Sequence, residues 1–162
     1  MEHRDNPFGL AGKVSLITGG SRGLGLGMAE GLARAGSRLV LVSRSEAELK
    51  RVAEELAAET GVEVAGLAWD VSEVSSLPGL VDRVAAIFGG LDILVNNAGA
   101  QVRKPFLDVT PEEYDLVLAT NLRAVFFLGQ QVARHMIANK VQGRIINIAS
   151  LTSKLGIKNT SA

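Results

Sequence analysis

The sequence contains no cysteine, no net charge and no apolar leader, and each absence excludes a class of protein. Without cysteine there are no disulfide bonds or thiolate metal sites, and the compartment is left open. His3 and His135 are isolated in the sequence, so no metal site is expected. The 17 basic and 17 acidic residues cancel, so no overall field favours nucleic acid or an anionic membrane. Met1–Asn6 is polar, unlike a signal peptide, and no run reaches membrane-spanning length, which makes a cytoplasmic protein the expectation.

The sequence does contain a repeated alternation of short apolar runs with longer amphipathic stretches. This alternation is typical of βαβ units and predicts an α/β fold, a doubly wound parallel sheet. With 162 residues, 47% of them hydrophobic, the chain fits a single domain over residues 1–162. Right-handed crossovers predict five strands in the order 3-2-1-4-5, with four helices between them.

Local signals set the predicted boundaries of these elements. The strands are predicted at residues 14–17, 38–42, 62–69, 91–95 and 145–149. Ser45 with Glu48 forms a capping-box pattern for a helix that ends at Gly61. Thr110, with proline next and Glu113 at the third helical position, predicts a helix that continues to about Asn139. Apolar spacing predicts buried helix faces that include Leu24, Leu116, Leu122 and Phe126.

A glycine-rich turn joins the first predicted strand to the first helix. Gly19, Gly23 and Gly25 lie where a helix start would present unpaired N–H groups and a positive dipole to an anion. The strict G-x-G-x-x-G pattern does not fit, because Met28 stands at its third glycine. A phosphate-binding turn is therefore one hypothesis, and a merely tight turn is the other.

Two arginines flank the position that an adenosine ribose would take beside this turn. Arg44 follows the second strand, where a carboxylate would meet a free 2′-hydroxyl and an arginine a 2′-phosphate. Val42, Ser43 and Arg44 include no acid, and Arg22 lies in the glycine turn itself. The placement favours NADP(H) over the alternative of two unrelated surface arginines.

Further polar residues end the later strands. Asp70 follows the third strand and Asn96-Asn97-Ala98-Gly99 the fourth, at the sheet edge where ligands of doubly wound folds bind. Ordinary turn chemistry explains an asparagine pair there equally well. Asn121 interrupts a helix, where a satisfied core asparagine is the simpler interpretation, and Ser150 follows the fifth strand.

Five motifs in order resemble the classical short-chain dehydrogenase/reductase family over essentially the whole chain. They are Thr18-Gly19 with Gly23 and Gly25, Asp70-Val71, Asn96-Asn97-Ala98-Gly99, Asn121, and Ile146-Asn147-Ile148-Ala149-Ser150. Within the family the sequence is most similar to sugar-acid dehydrogenases of the gluconate 5-dehydrogenase type, followed by 3-oxoacyl-carrier-protein reductases. The resemblance implies an NADP(H)-dependent oxidoreductase that interconverts a secondary alcohol and a ketone, and it suggests a homotetramer.

The resemblance also implies the site residues. Ser150 would bond the substrate oxygen, and Asn121 would hold a water in a proton relay. The candidate cofactor-binding residues are Gly19, Ser21, Arg22, Gly23, Leu24, Gly25, Ser43, Arg44, Asp70, Val71, Asn97, Ala98 and Gly99.

The sequence departs from the family pattern at the proton donor. The family places a tyrosine about a dozen residues after the serine and a lysine four residues later. Tyr114, the only tyrosine, has Leu118 at that spacing, and Lys154 and Lys158 have no phenol near them.

Two hypotheses follow from this departure. The favoured one is the N-terminal fragment of an oxidoreductase, inactive alone and incomplete at its C-terminus. The alternative is a natural dinucleotide-binding module without turnover, and a methyltransferase on the same fold is a third possibility. We expect an unpaired edge at the fifth strand and poor solubility of the 162-residue chain.

Overall fold

The computed structural model describes residues 9–160, so the polar start at Met1–Asn6, with His3, lies outside the described residues. Five parallel strands form one sheet in the order β3-β2-β1-β4-β5, which confirms the predicted α/β topology. Their bounds are β1 (Val14–Thr18), β2 (Arg38–Ser43), β3 (Val64–Ala68), β4 (Ile93–Asn96) and β5 (Arg144–Asn147).

Five α-helices connect these strands, two of them between β4 and β5. They are α1 (Gly23–Arg34), α2 (Glu46–Thr60), α3 (Leu77–Phe88), α4 (Pro111–Leu118) and α5 (Ala124–Ala138). Ser45 caps α2 as predicted, since its Oγ accepts from the Glu48 N–H at 3.4 Å, and Gly61 ends α2 in the left-handed conformation. The predicted capping box is incomplete, because the Ser45 N–H donates to Oγ of Ser43 and not to Glu48. Thr110 and Glu113 form a complete capping box at the start of α4.

Alternating side chains of the strands build two apolar cores, one on each face of the sheet. Leu16, Val40 and Leu94 face the core that α3 and α5 cover. Their neighbours in sequence, such as Ile17 and Leu41, face the core that α1 and α2 cover. All five of these side chains are fully buried, so the sheet is held from both sides and its loops project from the edges.

The prediction of one continuous α-helix after Thr110 is wrong in one detail. A π-helical turn, Ala119–Arg123, separates α4 from α5. The buried stripe of α5 consists of Ala124, Leu128, Val132 and Met136, which are spaced by four residues.

Several side chains predicted to be buried on helices are exposed. Leu122 and Phe126 are each 64% exposed, because they lie two residues to either side of Ala124 and therefore on the opposite face of the helix. Leu24 is 77% exposed, because it lies one position before the buried stripe of α1 that contains Gly25 and Ala29. Leu116 is 46% exposed beside the buried Val117.

Helical structure runs without a break from Pro111 to Ala138, and its length and composition would suffice to cross a membrane. This corrects the expectation that no run reaches that length. The span has a mean hydropathy of 1.3 over its most apolar window, and one helix of this kind is weak evidence of a membrane-spanning segment. Leu128 and Val132 pack into the sheet core, and 22% of the most apolar window is buried.

The strands differ modestly from their predicted bounds. β3 is shorter at both ends than residues 62–69, and β4 begins two residues later than predicted, since Leu91 and Asp92 precede it. Leu91 is nevertheless fully buried, and the Asp92 carboxylate accepts from the Val14 N–H at 3.0 Å. The apolar run in the sequence is therefore longer than the strand itself, because Leu91 is buried although it precedes the hydrogen-bonded residues of β4.

β5 lies at the edge of the sheet and pairs only with β4. Its Ile145 and Ile146 are 39% and 44% exposed, and Ile148 after it is 39% exposed. The expected unpaired edge at the fifth strand is present in the described part of the chain, and the poor solubility inferred from it stays a prediction.

Candidate functional site

A cavity of about 620 Å³ opens at the carboxyl ends of the strands. The loops after β1, β2, β3 and β4 all contribute to its walls, as expected for a ligand site in a doubly wound sheet. Its lining includes most of the predicted cofactor-binding residues: Gly19, Ser21, Arg22, Ser43, Arg44, Asp70, Val71, Asn97, Ala98 and Gly99.

The glycine turn forms one wall of this cavity and leads directly into α1. Gly19 and Gly23 have φ values of +66° and +57°, a region that residues with a Cβ rarely occupy. Arg22 precedes α1 in extended conformation, and its side chain makes no capping hydrogen bond. No acidic residue lies in the first turn of α1. The N-terminal N–H groups and the positive dipole end are thus arranged for an anion.

Gly25 permits the closest contact in the turn. A Cβ on Gly25 would lie 2.0 Å from the carbonyl oxygen of Gly19 and 2.5 Å from Nδ2 of Asn97. Only glycine allows the first turn of α1 to pack this tightly against the loop after β1. Gly23, Leu24 and Gly25 lie in this turn without lining the cavity.

Thr18 and Asn97 tie the ends of β1 and β4 together. Oγ1 of Thr18 accepts from the N–H groups of Asn97 and Ala98, each at 3.0 Å, and donates to the carbonyl of Val95 at 3.4 Å. Nδ2 of Asn97 donates to the carbonyls of Thr18 at 3.0 Å and Gly19 at 3.2 Å. The Asn97 side chain therefore holds the glycine turn in place. This favours a structural role for Asn97, which also lines the cavity.

Arg22, Arg44 and Asp70 line the cavity, and all three are exposed to solvent. The hydroxyl of Ser72 donates to Asp70 at 2.7 Å and lowers the pKa of that carboxyl. Desolvation opposes this lowering, whereas the Ser72 N–H and the Arg44 charge add to it. Asp70 is therefore an anion at neutral pH beside the Arg44 guanidinium.

Glu48 is a cavity residue that the sequence interpretation missed. Its Oε2 accepts from Oγ of the buried Ser21 at 3.1 Å, which links the start of α2 to the glycine turn. The sequence pattern assigned Glu48 only to the capping of its own helix. Its position one turn after Arg44 was the available signal, because the first turn of α2 faces the loop that follows β1.

Asn121 lies in the π-helical turn and is exposed, so the interpretation as a core asparagine is wrong. Oδ1 of Asn121 accepts from the Ala100 N–H at 2.8 Å, and Nδ2 donates to the Ala100 carbonyl at 2.9 Å. These two bonds hold the loop after β4 against the long helix. An amide has a second donor proton and a second acceptor lone pair, so Asn121 can also bind water.

Ser150 lies in the exposed segment after β5. Its Oγ accepts from Oγ1 of Thr152 at 2.8 Å and from the Thr152 N–H at 3.3 Å. Among the described residues, the cavity walls include neither Ser150 nor Asn121. The structure therefore brings the predicted cofactor-binding residues together, and leaves the two predicted catalytic residues outside the cavity.

Comparison with known proteins gives the family. Residues 13–162 match the family described as short chain dehydrogenase, and the chain belongs to it. Gluconate 5-dehydrogenase of Gluconobacter oxydans is 43% identical over 160 residues, covering 96% of this chain and 59% of that protein. The 3-oxoacyl-[acyl-carrier-protein] reductase FabG of Aquifex aeolicus is 39% identical, covering 91% and 59%. Both predicted resemblances are confirmed.

Solved structures match the fold closely. A metagenomic short-chain oxidoreductase in complex with NADP has a TM-score of 0.86 and 37% identity, over 94% of this chain and 68% of its own. An NAD⁺-bound xylitol dehydrogenase has a TM-score of 0.87 and 33% identity, over 96% and 59%. The chain thus spans about 59% of the length of the curated relatives named above.

Two glycines in α1 provide a matched test of the close contact at the turn. Gly25→Ala should destabilise the fold by about 1–3 kcal/mol or more and weaken nucleotide binding, because its methyl group meets backbone. Gly27→Ala should instead stabilise it by about 0.5–1 kcal/mol, since no atom lies within 4 Å of the added Cβ. Urea unfolding measures both, and equal effects would contradict the packing described for Gly25.

Proposed function

We propose that this short-chain dehydrogenase chain binds NADP(H) in its cavity. We further propose that it forms the cofactor-binding part of an enzyme that interconverts a secondary alcohol and a ketone. The observation that supports this best is the joining of the glycine turn, Arg22 and Arg44 on the walls of one cavity. The substrate class proposed is a sugar acid or a 3-oxoacyl compound, after the gluconate 5-dehydrogenase and FabG relatives.

The cavity has a group suited to each part of a dinucleotide. The start of α1 would hold the pyrophosphate, where the helix is not capped by a side chain and has no acid in its first turn. Ser43 and Arg44 would meet the adenosine ribose and its 2′-phosphate, with Arg22 opposite. Asp70 and Val71 would border the adenine, and Asn97 to Gly99 would line the remaining path.

The proposed preference for NADP(H) rests on charge at the end of β2. Residues 42–44 contain no carboxylate to accept a ribose 2′-hydroxyl, and Arg44 is exposed at that position. A related structure contains NADP and another contains NAD⁺, so the family accommodates both. The arginine pair favours the phosphorylated cofactor in this chain.

The cofactor would supply the hydride for ketone reduction or accept it in alcohol oxidation, and the chain would position the reacting groups. Ser150 would orient the substrate oxygen, with its Oγ held by Thr152. Asn121 would connect water to the proton path while its two bonds to Ala100 fix the loop after β4. Neither residue lines the cavity, so both roles require structure beyond that described for residues 9–160.

Proton transfer in the intact enzyme would require a tyrosine that these 162 residues do not supply. Tyr114 is followed by Leu118 and not by lysine at the family's spacing. We therefore propose a cytoplasmic enzyme of which this chain is the N-terminal part, with the non-catalytic dinucleotide-binding module as the alternative. The exposed Leu122 and Phe126 support association into a homo-oligomer, for which we propose a tetramer.

The proposal predicts binding without turnover for the 162-residue chain. NADPH should bind, as measured by fluorescence titration, and its absorbance should stay constant when 5-ketogluconate or a 3-oxoacyl thioester is added. The physical reason is the missing proton donor. Oxidation of NADPH that depends on the ketone would contradict the proposed role of a tyrosine outside these residues.

The cofactor preference can be tested at Arg44. Arg44→Gln should raise the Kd for NADPH about tenfold or more and change the Kd for NADH less than about twofold, since charge-assisted bonds to phosphate contribute about 1.5–3 kcal/mol. The matched control is Arg51→Gln on the outer face of α2, where Arg51 pairs with Glu55 at 2.7 Å. Isothermal titration measures the Kd of both cofactors for the unaltered chain and for each variant, and equal weakening of NADPH and NADH by Arg44→Gln would refute the 2′-phosphate assignment.

A further inference from the structure

Glu48 places a carboxylate in the wall of the cavity beside the proposed 2′-phosphate position. The cavity is lined there by Arg22, Ser43, Arg44 and Glu48 together. Glu48 is half-buried, and its Oε2 accepts a hydrogen bond from Ser21 at 3.1 Å. Of these four side chains it is the only one that repels an anion.

A second helix in the same chain shows that a glutamate at the third helical position can also bond to its own capping residue. In α4 the third helical residue, Glu113, accepts from the N–H of the capping residue Thr110 at 3.0 Å. Glu48 occupies the equivalent place in α2, yet the N–H of its capping residue Ser45 donates to Oγ of Ser43 at 3.4 Å. Glu48 is directed across the cavity wall to Ser21 instead of closing its own capping box.

This orientation affects what Ser21 can do for a ligand. A serine hydroxyl has one proton, and here that proton is donated to Glu48. The Ser21 oxygen can then accept from a ribose hydroxyl, but it cannot also donate to a phosphate. The Glu48 charge opposes a phosphate dianion in the same region directly.

We propose that Glu48 is a specificity-determining residue that weakens binding of a 2′-phosphate relative to a free 2′-hydroxyl. It counteracts Arg22 and Arg44, as Asp70 partly does beside Arg44. The preference for NADP(H) is thereby held below the value that two arginines alone would give. This inference rests on the proposed function, since it concerns the same cavity.

The test compares adenosine 2′,5′-bisphosphate with adenosine 5′-monophosphate, two probes that differ only in the 2′-phosphate and need no catalysis. Isothermal titration gives the ratio of their affinities. Glu48→Gln and Glu48→Ala should each raise the preference for the bisphosphate about tenfold, because both remove the like charge. Glu48→Ala also releases the Ser21 proton, whereas the glutamine carbonyl of Glu48→Gln can still accept it. Circular dichroism confirms that the variants are folded.

The matched control is Glu46→Gln. Glu46 is the other acid in the first turn of α2, it is exposed, and it lines a different cavity. This control reports the loss of one charge from the helix start without the contact to Ser21. It should change the ratio less than about twofold, since an exposed charge outside the cavity is screened by solvent.

Each outcome separates the inference from the function on which it rests. If the unaltered chain binds the bisphosphate and Glu48→Gln changes the ratio no more than Glu46→Gln, the role of Glu48 is refuted and the cofactor site stands. If the unaltered chain binds neither probe, the proposed function fails and the inference fails with it. A larger rise for both Glu48 variants than for Glu46→Gln supports the inference.

Discussion

The hydroxyl of Thr18 is the contact on which the proposed site depends. It accepts from two successive backbone N–H groups, those of Asn97 and Ala98, at the point where β4 ends beside β1. Thr18 is only 2% exposed, so no water can replace these bonds without rearrangement. The Asn97 side chain returns two bonds to the carbonyls of Thr18 and Gly19. The glycine turn and the loop after β4 are therefore positioned as one unit.

The sheet order explains why this unit faces a ligand. β1 is central, with β2 on one side and β4 on the other. The loop after β1 therefore lies in a crevice between the loops that follow β2 and β3 and those that follow β4 and β5. The close approach of Gly25 to Gly19 then fixes the start of α1 against the loop after β1. Arg44, Glu48 and Asp70 enter from the loops and helix beyond β2 and β3, and they set its charge.

The parts of the structure that depend on local chemistry were predictable from the sequence. The glycine turn and the capping residues Ser45 and Thr110 follow from spacing within short segments, and the structure contains them. The strand order follows from the right-handed crossovers of βαβ units, and the structure contains it too. The π-helical turn was not predictable from local spacing, and neither was the pairing of its Asn121 side chain with the backbone of Ala100 in the loop after β4. The orientation of the Glu48 side chain was not predictable either. Both the Ser45 N–H and the Ser21 hydroxyl could donate to it, and only the fold brings Ser21 within reach.

The same distinction applies to the candidate site. Its cofactor-binding residues lie directly after strands, where the order of the sheet determines their position. Asn121 and Ser150 follow the family's motifs but lie outside the cavity walls, and the chain spans about 59% of its curated relatives. The surroundings of Asn121 and Ser150 depend on tertiary contacts, which the sequence motifs do not specify.

The central claim, that Thr18 holds the cofactor site together, is tested most directly by Thr18→Val. Loss of its hydroxyl leaves two backbone N–H groups without their partner, so the free energy of unfolding should fall by about 2–3 kcal/mol. The Kd for NADPH should rise about tenfold or more as the glycine turn loosens. In the control Thr60→Val, which removes a hydroxyl bonded to Leu56 at the end of α2, both quantities should stay near their original values. Unchanged NADPH binding in Thr18→Val, or equal effects in the two variants, would contradict the account.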